Sequence, residues 1–206
     1  MNSPHRLALV LGTNNAAKLR EIRAVLADEP VDVTSFAEAG GSGELPEPGV
    51  TFEENASSKA LEAARRTGML TLADDSGLEV AALDGRPGVL SARYGGPDVD
   101  DAERCRLLLA EMEDVPLAMR GAEFVCVLAL AVPDGVLATW EGRVTGVITE
   151  EIRGEGGFGY DPIFLYPPAG KTFAEMTAEE KNAVSHRGQA VRELPEHLRD
   201  LGLIPT

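Results

Sequence analysis

Two apolar runs, Phe124–Val132 and Val136–Val144, flank Pro133-Asp134-Gly135, and no other segment constrains the fold as tightly. Apolar β-formers on both sides of a Pro-Asp-Gly turn predict an antiparallel hairpin. A different pattern stands near the start of the chain. Leu7-Ala8-Leu9-Val10-Leu11 reads as a buried strand and Gly12-Thr13-Asn14-Asn15 as a turn, after which Leu19, Ile22, Val25 and Leu26 recur at helical spacing. A hairpin combined with strand–helix alternation predicts an α/β (α+β) fold around a mixed sheet.

The remaining segments fill in that plan. Val31 to Phe36 is a second strand, and residues 37 to 50, rich in Gly, Glu and Pro, form a loop. Thr51 and Glu54 make a T-x-x-E capping box for a helix reaching Arg66 and ended by Gly68. Met69 to Ala73 is a strand that closes at Asp74-Asp75-Ser76-Gly77. A third helix covers Asp100 to Met112, with Leu107, Leu108 and Met112 on its apolar face. Leu165 to Gly170 is a Pro-rich loop, and Thr177 to Leu201 is helical with breaks near Gly188 and Pro195. No repeat, low-complexity tract or linker interrupts the 206 residues, so the expectation is one domain over 1–206.

The net charge of −15 argues against broad electrostatic binding to nucleic acid or an anionic membrane, because the far field repels phosphate. A small phosphate ligand remains compatible if positive charge is concentrated locally or a cation intervenes. No run approaches the roughly 18 apolar residues that span a bilayer. Met1 to Arg6 and the short Leu7–Leu11 run do not make a signal sequence, and a cytoplasmic protein is expected. Cys105 and Cys126 lie in apolar surroundings without C-x-x-C spacing, and are expected as buried thiols. Only four of the 19 basic residues are lysines: Lys18, Lys59, Lys171 and Lys181. In a chain that otherwise uses Arg, each is a candidate compact point charge.

Gly154-Glu155-Gly156-Gly157-Phe158-Gly159 fits G-x-G-x-x-G, the dinucleotide fingerprint, which requires a helix to open at its third glycine. Here Tyr160-Asp161-Pro162-Ile163-Phe164-Leu165-Tyr166-Pro167-Pro168 follows, and its prolines and β-formers exclude that helix. The glycines instead make a turn, or a loop that admits a flat ligand beside Phe158. Thr13-Asn14-Asn15-Ala16-Ala17-Lys18 lies between a strand and a helix. Its N–H groups and Lys18 suit phosphate, with Asn15 as a plain helix cap the alternative. The adjacent carboxylates Asp74 and Asp75 suit a hard cation such as Mg²⁺, with a simple turn the alternative. Glu47 and Glu53 or Glu54 are further candidate carboxylates. Asn55 and Lys59 share one helix face, and Lys181, Ser185, His186 and Arg187 form a late donor cluster.

Taken together these segments resemble the inosine triphosphate pyrophosphatases, also called XTP/dITP diphosphatases, and among them the bacterial branch. The residues that carry the resemblance are Thr13 to Lys18, Thr51-Phe52-Glu53-Glu54-Asn55-Ala56 with Lys59, and Ala73-Asp74-Asp75-Ser76-Gly77-Leu78-Glu79-Val80. They continue with Pro87-Gly88, Ser91-Ala92-Arg93-Tyr94, Gly157-Phe158-Gly159-Tyr160-Asp161-Pro162-Ile163-Phe164, and Lys181 through Ser185-His186-Arg187-Gly188. Asn14 and Ala17 stand where relatives often have Gly, and Tyr160 where some eukaryotic relatives carry Trp.

The resemblance implies two lobes around a central nucleotide cleft, and cleavage of ITP, dITP or XTP to the monophosphate and pyrophosphate, which cleanses the nucleotide pool. It implies Mg²⁺ held by Glu47 and Asp75 with Asp74 supporting, and Asp75 as proton acceptor for the attacking water. Lys18, Lys59 and the loop Thr13, Asn14, Asn15, Ala16 and Ala17 would take the triphosphate. Phe158 would stack on the purine within the Gly159-Tyr160 loop, with Ser76, Asp161 and Lys181 fixing the base edge. Arg187, helped by His186, would accept a 6-keto purine, because Arg donates only and adenine presents a donor at that position. A homodimer is implied by the same resemblance. The related Maf-like nucleotide pyrophosphatases are a second reading, and the Ser-His-Arg and Phe-Gly-Tyr-Asp segments argue against it. A nucleotide-binding module without turnover is a third, against which Glu47, Asp75 and Lys18 argue.

Overall fold

The computed structural model describes residues 6–205, so the reading of Met1–Arg6 falls, Arg6 apart, outside them. The strands are β1 Leu7–Leu11, β2 Val31–Ser35, β3 Thr71–Val80, β4 Gly121–Val132, β5 Gly135–Ile148, β6 Phe164–Tyr166 and β7 Lys171–Thr172. The α-helices are α1 Ala16–Val25, α2 Phe52–Thr67, α3 Asp101–Glu111, α4 Ala178–Val184 and α5 His186–Asp200. One seven-stranded sheet has the order β2-β1-β3-β4-β5-β6-β7. β1 pairs parallel with β2 and β3, while β5–β6 and β6–β7 are antiparallel, so the sheet is mixed as expected. β4 and β5 are sheet neighbours joined through Pro133-Asp134, a connection short enough only for antiparallel strands. Among the described residues no helix is long and apolar enough to cross a membrane.

By its internal packing the chain divides into two compact units. The first comprises Met1–Asp75, Cys126–Gly142 and Arg187–Thr206, and the second Ser76–Val125 and Arg143–His186. The first buries Leu9, Leu11, Ile22, Leu72, Leu128 and Leu194 in one core, closed by Trp140, whose Nε1 donates to the Ala190 carbonyl at 2.8 Å. The second buries Leu78, Leu108, Phe124, Ile148, Phe164 and Phe173. Each such side chain contributes about 1.5–3 kcal/mol relative to exposure. Both cysteines are buried free thiols.

Three elements differ from expectation. β3 does not close at Asp74-Asp75 but continues to Val80, because Leu78 and Val80 are fully buried in the second core. Leu165–Gly170 is not one loop: it holds the end of β6 and a 3-10 turn at Pro167–Ala169, with β7 beginning at Lys171. The late helical segment breaks at Ser185, whose backbone is extended, and α5 runs unbroken through Gly188 and Pro195. A mid-helix Pro costs about 3 kcal/mol. Burial of Ala190, Val191, Leu194 and Leu198 along one face of α5 offsets that cost.

The loop that carries Glu47 leaves β2 through a small polar knot. Glu38 Oε2 accepts from the Ser35 N–H at 2.7 Å and from Arg23 at 2.6 Å. Those hydrogen bonds, the Ser35 ones first, hold the Glu38 carboxyl at about 2, below its ordinary 4.5. A lowered carboxylate contributes stability above its unfolded value and loses it as pH falls toward the folded one. Glu38→Gln is therefore expected to melt below the wild type at neutral pH, with the gap closing between pH 4.5 and 2. Thermal unfolding across that range measures it, and a gap that does not depend on pH would contradict it.

Candidate active site

Because side chains alternate across a strand, Asp74 and Asp75 leave β3 on opposite faces, and each pairs directly with different cations while feeling the field of the other's. α2 supplies the partners of Asp75. Its first turn is fixed by the expected capping box: Thr51 Oγ1 accepts from the Glu54 N–H, and Glu54 Oε2 from the Thr51 N–H. That start places Asn55 and Lys59 one turn apart on the buried face. Asn55 Nδ2 donates to Asp75 Oδ2 at 3.1 Å, and Lys59 Nζ to Asp75 Oδ1 at 3.0 Å. Lys59 Nζ also reaches Glu47 Oε1 at 2.8 Å, so one ammonium joins the two carboxylates. Asn55 Oδ1 accepts from the Gly49 N–H at 2.7 Å and ties the Glu47 loop to the same helix.

Burial pushes the Asp75 carboxyl above its ordinary value, against the pull of Lys59, Lys18 and Asn55. Burial also opposes the charge on Lys59, but Asp74, Asp75 and Glu47 outweigh it and hold the ammonium above its ordinary value. A buried carboxylate whose proton affinity is raised and whose oxygens are positioned by an amide and an ammonium has the character of a base.

On the other face, Asp74 Oδ2 accepts from Lys18 Nζ at 2.8 Å and from Arg187 at 3.3 Å. Arg187 also donates to Glu21 of α1. Burial disfavours the Asp74 charge, yet Lys18, Arg187 and Lys59 outweigh it and hold the carboxyl well below the usual range. Burial likewise opposes the charge on Arg187, and Asp74 and Glu21 reverse that effect. At the start of α1, Asn15 Oδ1 accepts from the N–H groups of Ala17 and Lys18 at 2.9 and 3.2 Å. Thr13 Oγ1 accepts from the Asn15 N–H at 3.1 Å, and Asn14 Nδ2 donates to the Gly43 carbonyl at 3.3 Å. Asn15 is thus a helix cap, the alternative that the sequence left open.

The second unit contains the Phe158 loop. No helix opens at Gly159; a 3-10 turn covers Asp161–Ile163, as the prolines demanded. Asp161 Oδ2 accepts from the Phe158 N–H at 2.9 Å and from Lys181 Nζ at 2.6 Å. Lys181 Nζ lies 4.6 Å from the centroid of the half-buried Phe158 ring, within cation–π range. Gly157 has φ +72, and an added Cβ would collide with Asp161 Oδ2, so only glycine admits that carboxylate to the turn. Tyr160 is buried and its hydroxyl donates to the Ser91 carbonyl at 3.0 Å. The His186 ring stacks on Phe124 with centroids 4.8 Å apart. Ser76 follows Asp75 along β3 and is half-buried.

The predicted residues therefore fall into three sets. Glu47, Lys59 and Asp75 form one ion-paired cluster of the first unit and Lys18, Asp74 and Arg187 another, while Phe158, Gly159, Tyr160, Asp161 and Lys181 belong to one loop assembly of the second. Glu53 is instead engaged with Thr139 and Glu54 with its cap. The sequence reading missed Glu21, although it lies three residues after Lys18 and so on the same helix face. It also missed Asp101, which accepts from the Gly159 N–H across 58 residues and has no local signature.

The Ham1 family profile matches residues 9–197. A protein from Syntrophobacter fumaroxidans named dITP/XTP pyrophosphatase is 54% identical over 90% of this chain and 79% of its own length. One of the same name from Thermus thermophilus is 52% identical over 94% of this chain and 93% of its own. Among solved structures, a HAM1 protein from Coxiella burnetii is 43% identical with a TM-score of 0.85, covering 94% of this chain and 99% of that one. A Mycobacterium abscessus structure titled nucleoside-triphosphatase / dITP/XTP pyrophosphatase is 45% identical with a TM-score of 0.73, covering 91% and 98%. A profile match across nearly the whole chain, these identities and the shared fold lead to one conclusion: the chain belongs to the Ham1 family.

Proposed function

We propose that this chain hydrolyses dITP, ITP and XTP to the nucleoside monophosphate and pyrophosphate. One observation carries the reading beyond the names of its relatives: Asp75 is a buried carboxylate whose two oxygens are positioned by Asn55 and Lys59, and it shares the Lys59 ammonium with Glu47. A site that only binds has no need of such a base. Neither the Maf-like nor the non-catalytic alternative is favoured by the Ham1 match.

Among the described residues no group of three or more His, Cys, Asp or Glu side chains gathers as a metal centre. Two carboxylates converging on one cation nonetheless fit Mg²⁺, which is commonly held by one or two carboxylates together with substrate phosphates. Glu47 and Asp75 would hold the ion, with Asp74 supporting, and when bound it would polarise phosphoryl oxygens and orient water. Asp75 accepts the proton of the attacking water as its oxygen bonds to the α-phosphorus. The bridging α–β bond breaks, and pyrophosphate leaves. Lys59 and Lys18 exchange carboxylate oxygens for phosphate oxygens and neutralise the triphosphate, beside the loop from Thr13 to Ala17.

Phe158 stacks on the purine, Gly159 and Tyr160 shape the loop, and Ser76, Asp161 and Lys181 fix the base edge. Arg187, helped by His186, donates to the 6-keto oxygen; adenine would turn an amino donor toward those donors. We further infer that residues 1–206 act as one functional domain, as a cytoplasmic homodimer, without nucleic-acid or membrane partners. The net charge of −15 supports the last point. Phosphorus NMR of a reaction with ITP and Mg²⁺ tests the reading. Inosine monophosphate and pyrophosphate are expected in equal amounts; inosine diphosphate with inorganic phosphate would overturn it.

A further inference from the structure

Gly159 is held by both of its own peptide groups, and both partners come from the first two turns of α3. Its N–H donates to Asp101 Oδ2 at 2.8 Å, and its carbonyl accepts from Cys105 Sγ at 3.3 Å. The other Asp101 oxygen is engaged by Arg104 Nη1 at 2.9 Å, which fixes the carboxylate in place. Burial, then the charges of Asp101 and Asp161, push the Cys105 thiol up to about 12, so at neutral pH it is an S–H donor. Gly159 itself sits at φ +60, which glycine adopts without strain, so the two contacts from α3 choose its orientation rather than relieve it. On its two sides are Phe158, whose N–H is taken by Asp161, and Tyr160, whose hydroxyl is anchored on Ser91.

We propose that Asp101, with Cys105, is a positioning residue that fixes the Gly159 peptide and thereby the orientation of the Phe158 ring toward a 6-keto purine. The proposal rests on the reading of Phe158 as the base-stacking side chain. Asp101 acts through the loop and has no part in the chemistry. Asp100, not Asp101, is the side-chain cap of α3, so the cap survives replacement of Asp101.

Asp101→Ala and Asp101→Asn separate positioning from helix electrostatics. Both remove the Asp101 charge from the first turn of α3 and leave Glu103, but only Asn keeps an oxygen to accept from Gly159. With ITP and Mg²⁺, Asp101→Ala is expected to raise KM about fivefold to tenfold with kcat within about twofold, the effect of one hydrogen bond on binding. Asp101→Asn is expected to return KM to within about twofold of the wild type. Amide hydrogen exchange of the peptide spanning residues 157–160 should quicken in Asp101→Ala and recover in Asp101→Asn. Unchanged exchange in Asp101→Ala, or equal impairment in both variants, would overturn the proposal. Exchange that quickens and recovers while KM for ITP does not move would leave the clasp standing and sink the stacking role of Phe158. If Asp101→Ala does not fold, Cys105→Ala is read by the same exchange measurement, where no acceleration overturns the proposal.

Discussion

Asp75→Asn is expected to lower kcat for ITP by about 10²–10⁴-fold, the usual contribution of a positioned general base. The substitution keeps the shape and removes the base. It also has a structural cost that must be kept apart from the chemistry. Asn55 Nδ2 and Lys59 Nζ both donate to Asp75, and Asn55 cannot simply turn its amide, because its oxygen holds the Gly49 N–H. The new amide must therefore face one donor with another, at about 1–3 kcal/mol. In a protein of this size that corresponds to a melting midpoint lower by roughly 2–12 °C. At an assay temperature well below that midpoint the enzyme is still folded, and a rate loss of several orders of magnitude belongs to the lost carboxylate, as base and as Mg²⁺ ligand, rather than to unfolding. Near-normal turnover in a folded variant would remove Asp75 from its assigned role.

Arg187→Ala is expected to have the largest effect on stability. The guanidinium is buried between Asp74 and Glu21, and truncation leaves two carboxylates without that cation. Breaking a buried pair from one side costs about 3–5 kcal/mol, or roughly 6–20 °C in the melting midpoint. The dependence on pH has a definite sign. The Asp74 carboxyl lies well below the usual range, so its charge stabilises the fold above the unfolded value and ceases to do so as pH falls. The deficit of Arg187→Ala relative to the wild type should accordingly shrink on acidification through the carboxylate range. The same variant should lose much of its preference for ITP over ATP. A large stability loss with an unchanged preference would leave the ionic network intact as an account and remove Arg187 from base reading.

Those two residues also mark what could be read from the sequence. The mixed sheet followed from the Pro133-Asp134-Gly135 hairpin and the strand–helix alternation, because turn chemistry and periodicity are local signals. α2 was legible for the same reason: its capping box fixes the first turn, and its first turn fixes Asn55 and Lys59. Rejecting the dinucleotide fingerprint needed only the prolines after Gly159. The end of β3 was misread because two adjacent carboxylates resemble a turn, whereas burial of Leu78 and Val80 carries the strand onward. The helix break was misplaced because Gly188 and Pro195 are weak helix formers, yet the buried face of α5 outweighs both. The pairings of Arg187 with Glu21 and of Asp101 with Gly159 link residues 166 and 58 positions apart. No periodicity or motif encodes contacts of that kind; tertiary packing alone creates them.

Selectivity for a 6-keto purine is the central claim, and it is tested most directly by comparing kcat/KM for pyrophosphate release from ITP and from ATP under identical Mg²⁺. A site whose donors meet the 6-keto oxygen should favour ITP by on the order of 10⁴-fold, since adenine leaves those donors facing another donor. Values for ATP within about tenfold of those for ITP, the scale of a single weak contact, would contradict it.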